Sequence, residues 1–470
     1  MWSDRPSAAC LAGMAAELSK LWRAPGGEAA AVEAVKASPV HLAAWLRRRP
    51  GFVWLDGGRA GGRFFCDPAV CLTVKDGRAR VVSARGTVTF PARGFDLLEA
   101  ALACWQGSGA VLAGYFGYEL GPELEGVRTP AMSSTVPDLY LGLYVSGLAY
   151  GPQGWHAWSV PGGPPAEELA RAAELLPPGE DFESGHALSP GPLRSHPDGD
   201  EYRAAVERTV ARIHQGELFQ TNLCRCLEAP LEEELAWPLY LRMRSITPAA
   251  HGAFLRLPAG GAVASVSPEL FLRVRGRSVE SRPIKGTRPR GATPEADRQL
   301  AGELEASEKD RAELAMIVDV MRNDLARVCR AGTVAVPEHA RLITLPAVHH
   351  TVSTVTGRLR PSATAADLLR ACFPPASISG APKIRAMEVA AEEETRRRGP
   401  SMGAIGWIST QGGLELSVAI RTAVAANGTV CYHAGAGITA GSDPAQELEE
   451  TRHKAGAFVR ALGLNLQQPW

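Results

Sequence analysis

The sequence carries no net charge, because fifty Lys and Arg balance fifty Asp and Glu over 470 residues. Without a global basic field it has no general means of holding nucleic acid or an anionic membrane, and any charge-based function must be local. It also lacks a run of about 18 apolar residues, the length needed to span a bilayer. There is no CxxC pair, and the nine cysteines, from Cys10 to Cys431, are scattered and odd in number. The first twenty residues have no basic start followed by a clean apolar run, so a secreted, disulfide-bonded protein is not indicated. Reduced thiols in the cytoplasm are the expectation. GxSxG, HExxH, P-loop and Rossmann patterns are missing too, which argues against common hydrolase, zinc and nucleotide-binding readings.

What is present is a globular composition: 45% hydrophobic residues, 21% charged, 49 Gly and 35 Pro with no repeating period. Residues 1–150 read as an irregular α+β lobe, with apolar runs such as GFVWLD and DLYLGLYVSGLAY broken by glycine pairs. Residues 151–198 turn to Pro, Gly, Ser and Glu and read as a connection. The domain from 199 to 462 has sharper periodicity. Tyr202, Val206, Val210 and Ile213 predict a helix stopping at Gly216. A strand is predicted near 219–227, and four between 252 and 283 as a β-meander. Helices follow near 294–306, 309–329, 365–372, 382–397 and 444–462, with hairpins at Gly412-Gly413 and Asn427-Gly428. Strands and helices mix without strict βαβ alternation, so the fold class is α+β.

Few residues suggest chemistry by spacing alone. Asp310 with Glu313, and Glu447 with Glu450, stand three apart on predicted helices, so each pair shares a face and could offer oxygens to a hard cation such as Mg²⁺. Solvated helix faces account for the same spacing. Lys454 completes the second face, where a routine salt bridge to Glu450 is the plain explanation. Lys285, in RPIKGTRPRG, follows a strand and precedes a glycine where the backbone turns; burial could make it a nucleophile, and a solvated loop lysine is the alternative. Arg421 sits in an apolar strand-like run, SVAIRTAV, where its fork suits either a ligand carboxylate or a structural ion pair. Gly435-Ala436-Gly437 could present backbone amides to an anion. His349 and His350 are adjacent, so on a strand they point to opposite faces and at most one serves a given site.

Nine ordered motifs between about 200 and 460 resemble the chorismate-utilising enzymes. They are FQTNL (219–223), SPELF (267–271), PIKGTR (283–288), KDRAELAMIVDVMRNDLARV (309–328), VHHTVSTVTGRL (348–359), SISGAPKIRAMEV (377–389), GAIGWIS (403–409), VAIRTA (418–423) and AGAGITAGSDPAQELEETRHKA (434–455). AGYFGYELGPELE (113–125) and PDLYLGLY (137–144) extend a weaker resemblance into the first lobe. The resemblance implies a large two-lobed fold with β-sheets packed face to face and flanked by helices, binding chorismate with Mg²⁺. Glu313 and Glu450 match direct metal ligands, with Asp310 and Glu447 holding metal-bound water. Thr287, Arg421, Gly435, Gly437 and Lys454 match substrate-binding positions. Glu269 matches a general acid, and His350 a histidine beside the ring.

Two positions divide the family. Lys285 stands where anthranilate, isochorismate and salicylate synthases resemble one another in having alanine, whereas the aminodeoxychorismate synthase branch carries lysine. Gln220 stands where water-adding relatives have a lysine base, and glutamine cannot activate water. The branch implied is the one that aminates chorismate toward p-aminobenzoate and folate, with ammonia from a separate glutamine amidotransferase and a separate lyase finishing the product. An anthranilate-forming component and an impaired ligand-binding homologue are the alternatives. Ser401 replaces a usual aromatic, Pro375-Ala376 a usual glycine pair, and Trp54-Leu55-Asp56-Gly57 a Leu-Glu/Asp-Ser element that lines a tryptophan pocket in relatives.

Overall fold

The computed structural model describes residues 6–22, 30–32, 38–130, 132, 134–160, 188, 190–345 and 348–465. Most of the predicted 151–198 connection therefore lies outside the described residues. Two antiparallel sheets of twelve strands each dominate. Both draw on both halves of the sequence: Val53–Asp56 pairs with His251–Arg256 in the first sheet, and Val111–Phe116 pairs with Ala404–Ser409 in the second.

Alternation along the strands explains how the sheets stack. In the first sheet Val53, Leu255, Val263 and Val424 point inward, and meet Val111, Ala113, Tyr115, Tyr140 and Ile405 of the second. Burying each such aliphatic side chain contributes about 2 kcal/mol, so the two inner faces hold each other. The intervening residues face outward under helices. Trp54, Phe254, Ala264 and Tyr432 lie beneath the helices Pro39–Leu46, Ala236–Ile246 and Pro444–Ala461. Leu72, Leu272 and Leu416 lie beneath Ala8–Leu21, Gly94–Cys104, Glu308–Ala326 and Ala365–Cys372. The result is the expected α+β arrangement of two face-to-face sheets between helical layers.

The predicted β-meander is divided. Its four strands form at 251–256, 262–267, 270–275 and 278–282, but the first two belong to one sheet and the last two to the other. The chain crosses at Pro268-Glu269. The run SVAIRTAV is likewise two strands, Leu414–Val418 in the second sheet and Thr422–Ala426 in the first. Between them Arg421 adopts a left-handed conformation, φ 51°, uncommon for a residue with a side chain. The hairpins at Gly412-Gly413 and Asn427-Gly428 form as predicted, and the long helices run from 294 to 306, 308 to 326 and 444 to 461.

Candidate active site

Inner-face residues of the first sheet change from apolar to polar along the strands. Val263 gives way to Ser265 and Ser267, and Val424 to Thr422. On the neighbouring strand, Tyr432, Ala434 and Ala436 point outward into the apolar clusters, so His433, Gly435 and Gly437 face the other sheet. Opposite them across the ladder, Asn222 pairs with Gly437 and Cys224 with Gly435. Polar side chains thus collect where apolar packing between the sheets ends.

The two crossings meet at this end. Val418 N donates to Glu269 O (3.0 Å), Val266 N donates to Arg421 O (3.1 Å), and Ser267 Oγ donates to Val418 O (2.5 Å). These bonds fix Glu269 and Arg421 side by side, though 152 residues separate them in sequence. Glu269 is 4% exposed. Burial raises its pKa to about 7, against the opposing influence of Ser377, Lys285, the Ile284 backbone and Lys454. The Ser377 hydroxyl lies near enough to favour the carboxylate, but it is buried and makes no hydrogen bond of ordinary geometry. The Arg421 guanidinium has no hydrogen bond or ion pair among the described residues. Burial lowers its pKa, partly offset by Tyr432 and Glu269.

Lys285 arrives on the strand Ile284–Pro289, whose pairing with Val348–Arg358 shifts between Lys285 and Thr287. The sharp turn expected after Lys285 is a β-bulge at Gly286, φ 73°. A Cβ at Gly286 would lie 2.6 Å from Leu304 and 3.1 Å from the Asp310 carboxyl carbon, so glycine is required both by conformation and by space. The ammonium ends 3.4 Å from Glu313 Oε2, and both side chains are largely buried. A Cβ placed on Gly437 would fall 2.6 Å from Gln220 Nε2 and 3.2 Å from Lys285 Nζ. Gln220, Lys285 and Gly437 therefore converge. Gln220 Oε1 is buried without a hydrogen-bond partner.

His350 and His349 do part company. His350 Nδ1 lies 2.9 Å from Thr287 Oγ1 and 3.2 Å from Gly286 O. Since a carbonyl only accepts, Nδ1 carries the proton and Nε2, buried without a partner, is left as an acceptor. Burial, then Arg421, lowers the His350 pKa to about 4, so the ring is neutral near pH 7. His349 turns the other way, to Asp297 (2.8 Å) and Thr344 (3.0 Å).

The helical acids gather with lysines. Lys454 Nζ bridges Glu450 Oε1 (2.7 Å) and Gly435 O (2.8 Å), tying helix to strand. Lys309 Nζ lies 3.5 Å from Glu447 Oε1; burial lowers its pKa, but Glu447, Glu313 and Glu450 outweigh this and raise it. Burial would raise Glu450, yet Lys454, Lys285 and Lys309 hold it below the ordinary carboxylate value. Asp310 pairs with Arg288 at 3.3 Å. Among the described residues no three His, Cys, Asp or Glu side chains converge as a ready metal site. The donors nevertheless fit a hard divalent cation: all are oxygens, and buried Glu447 Oε2 has no partner. Lys309 and Ser377 were not singled out in the sequence, although Lys309 stands four residues before Glu313 on its helix. Ser401 is buried and donates to Thr422 O (3.0 Å).

A family model described as chorismate binding enzyme matches residues 51–460. The chain belongs to that family. Among chorismate binding enzymes it is 38% identical, over 84% of its length and 88% of the relative's, to "Aminodeoxychorismate synthase component 1" of Salmonella typhimurium. An "Anthranilate synthase component 1" of Streptomyces coelicolor is 44% identical over 56% of this chain and 51% of the relative. The crystal structure of anthranilate synthase component I from Streptococcus pneumoniae superposes with a TM-score of 0.73 at 27% identity, covering 85% of this chain and 92% of that one. No helix among the described residues is long and apolar enough to cross a membrane.

Proposed function

We propose that this chorismate binding enzyme aminates chorismate at C4, giving 4-amino-4-deoxychorismate and water from chorismate and ammonia. The observation that carries the reading is Lys285 Nζ, delivered beside Gln220, Gly437 and Glu313 on a bulged strand. The Lys285 amine attacks C2 as the 4-hydroxyl departs, and buried Glu269, with its pKa near 7, donates the proton that makes it leave as water. Ammonia then adds at C4 as the C2–N bond to Lys285 breaks, restoring the free lysine. Arg421, free of internal partners, holds a substrate carboxylate together with Thr287 and the strand at Gly435 and Gly437. Neutral His350 orients the ring through its free Nε2. Glu313 and Glu450, with Asp310 and Glu447 beyond, would hold Mg²⁺, which supplies positive charge for a substrate carboxylate. Ammonia comes from a separate glutamine amidotransferase, and the reaction belongs to cytoplasmic p-aminobenzoate and folate synthesis.

The likeness to the Streptomyces coelicolor anthranilate synthase component favours a second reading, amination at C2 with loss of pyruvate. Mass spectrometry of the product from chorismate, Mg²⁺ and excess ammonium at alkaline pH separates them. 4-Amino-4-deoxychorismate without pyruvate is expected, with turnover lost on chelation and restored by Mg²⁺. Anthranilate with pyruvate would overturn the assignment.

A further inference from the structure

Away from the active site, a cavity of about 190 Å³ opens by the helix Ala236–Ile246, lined by Arg47, Arg48, Glu233, Glu234, Trp237 and Arg256 among others. Three arginines from two separate parts of the chain line it, close enough that Arg48 and Arg256 act on the Arg47 charge. Arg47 and Arg48 follow the helix Pro39–Leu46, and Arg256 ends the strand that begins at His251. Arg47 stacks over the Trp237 ring at 5.5 Å and donates to Ala44 O. Among the described residues none of the three arginines has an ion pair, and the Arg48 and Arg256 side chains have no hydrogen bond. Arg47 responds accordingly: burial first, then the Arg48 and Arg256 charges, lower its pKa, and no carboxylate raises it.

The acids around the cavity do not answer these charges. Glu233 is already committed, accepting from Gly261 N (2.8 Å) through one oxygen and from Asn427 N (3.0 Å) through the other, where it ties two turns together. Glu234 is exposed. A further donor is stranded: Trp237 is 4% exposed, and its Nε1 is buried with no hydrogen-bond partner. A buried N–H without an acceptor is destabilising, and a ligand oxygen would relieve it. The groups around the cavity that lack an acidic partner are thus donors: three permanently cationic arginines, of which Arg47 alone has a hydrogen bond, and the stranded indole N–H.

We propose that this cavity binds a small multivalent oxyanion, a phosphate or polycarboxylate, clamped by Arg47, Arg48 and Arg256 with Trp237 beneath it. Such a ligand supplies what the cavity lacks, acceptor oxygens and negative charge, and guanidinium forks match both chemistries. The site is separate from the chorismate reaction. Asp56, Tyr150, Tyr240 and Arg244, at the opposite end of the strand pair, form a closed network of their own, and none of the residues assigned to catalysis lines the cavity.

The test uses the full chain at low ionic strength, with pyrophosphate and citrate as separate probes and chloride at matched ionic strength as the control. Binding is followed by tryptophan fluorescence and calorimetry. Saturable binding of one or both probes is expected, weakening with salt, and which probe binds tells phosphate from carboxylate chemistry. Arg48→Gln and Arg256→Gln change exposed side chains, and each should weaken binding about tenfold or more, the loss expected of one charge-assisted hydrogen bond. Their melting temperatures and chorismate turnover should match the wild type. No saturable binding of either probe, or binding unchanged in the Arg48→Gln, Arg256→Gln double variant, would overturn the proposal.

Discussion

Lys285 Nζ stands 3.4 Å from Glu313 Oε2, so the nucleophile and a metal-binding acid of the proposed site share one ion pair. The contact joins a bulged strand to the helix that runs beneath it. Both side chains are about 13–14% exposed, and each leaves a counter-charge behind if the other is removed.

Replacing Lys285 by alanine should therefore lower 4-amination at least ~10²-fold, the scale of losing one chemical group from an active site. Mass spectrometry of the product and the melting temperature separate the chemical effect from unfolding. Amination at the wild-type rate in a folded Lys285→Ala protein would rule out a covalent role.

Much of this site was legible because its motifs are local. Lys285 before Gly286, the acid pairs three residues apart and the glycines of the last long strand each lie within a few residues, but their spacing suits solvated surface equally well, and it is the ordered motifs around them that single them out. What local pattern could not show is sheet membership. Alternation in 262–275 marks two strands but is silent on whether the chain turns back beside itself or crosses to another sheet, because side-chain periodicity is the same in either case. The crossings at Glu269 and Arg421 depend on bonds between segments about 150 residues apart, such as Val418 N to Glu269 O. Lys309 is silent in the sequence for a related reason: its partner Glu447 lies on a different helix.

Glu269 should set a pH dependence for both activity and stability. Its pKa in the folded protein is about 7, against 4.5 ordinarily. Between those values the unfolded chain loses this proton first, so the group lowers stability as pH rises, by about 3 kcal/mol once pH exceeds 7. Glu269→Gln removes the charge and with it the penalty. The variant should match the wild-type melting temperature near pH 4.5 and exceed it at pH 8.5, while losing turnover ~10²- to 10⁴-fold. An equal melting temperature at pH 8.5 would contradict the raised pKa.

Asp56 has a different importance. It is 3% exposed and accepts from Arg244 Nε (2.5 Å), Tyr150 OH (2.9 Å), Gly58 N (3.0 Å) and Tyr240 OH (3.2 Å). With both oxygens engaged by the protein itself, the carboxylate serves the fold. Asp56→Ala would strand two hydroxyls and a guanidinium, and should cost about 3 kcal/mol. A lowered urea midpoint checks this, with turnover per folded molecule expected to persist.

Gly437 offers the cleanest separation of activity from stability. Its strand is regular, so alanine meets no conformational strain, and the difficulty is space alone. The added methyl would lie 2.6 Å from Gln220 Nε2 and 3.2 Å from Lys285 Nζ, closer than ordinary contact. Both are ends of flexible side chains and can move aside, so the fold should survive within about 1 kcal/mol. The movement, however, displaces the amine proposed to attack C2, and misplacement by about 1 Å can cost ~10²-fold in rate. Gly441 is the matched control, since nothing lies within 4 Å of a Cβ there. Gly437→Ala should lose most of its turnover at a nearly unchanged melting temperature, while Gly441→Ala keeps both. Full turnover in Gly437→Ala would mean that Lys285 works from a position other than beside this strand.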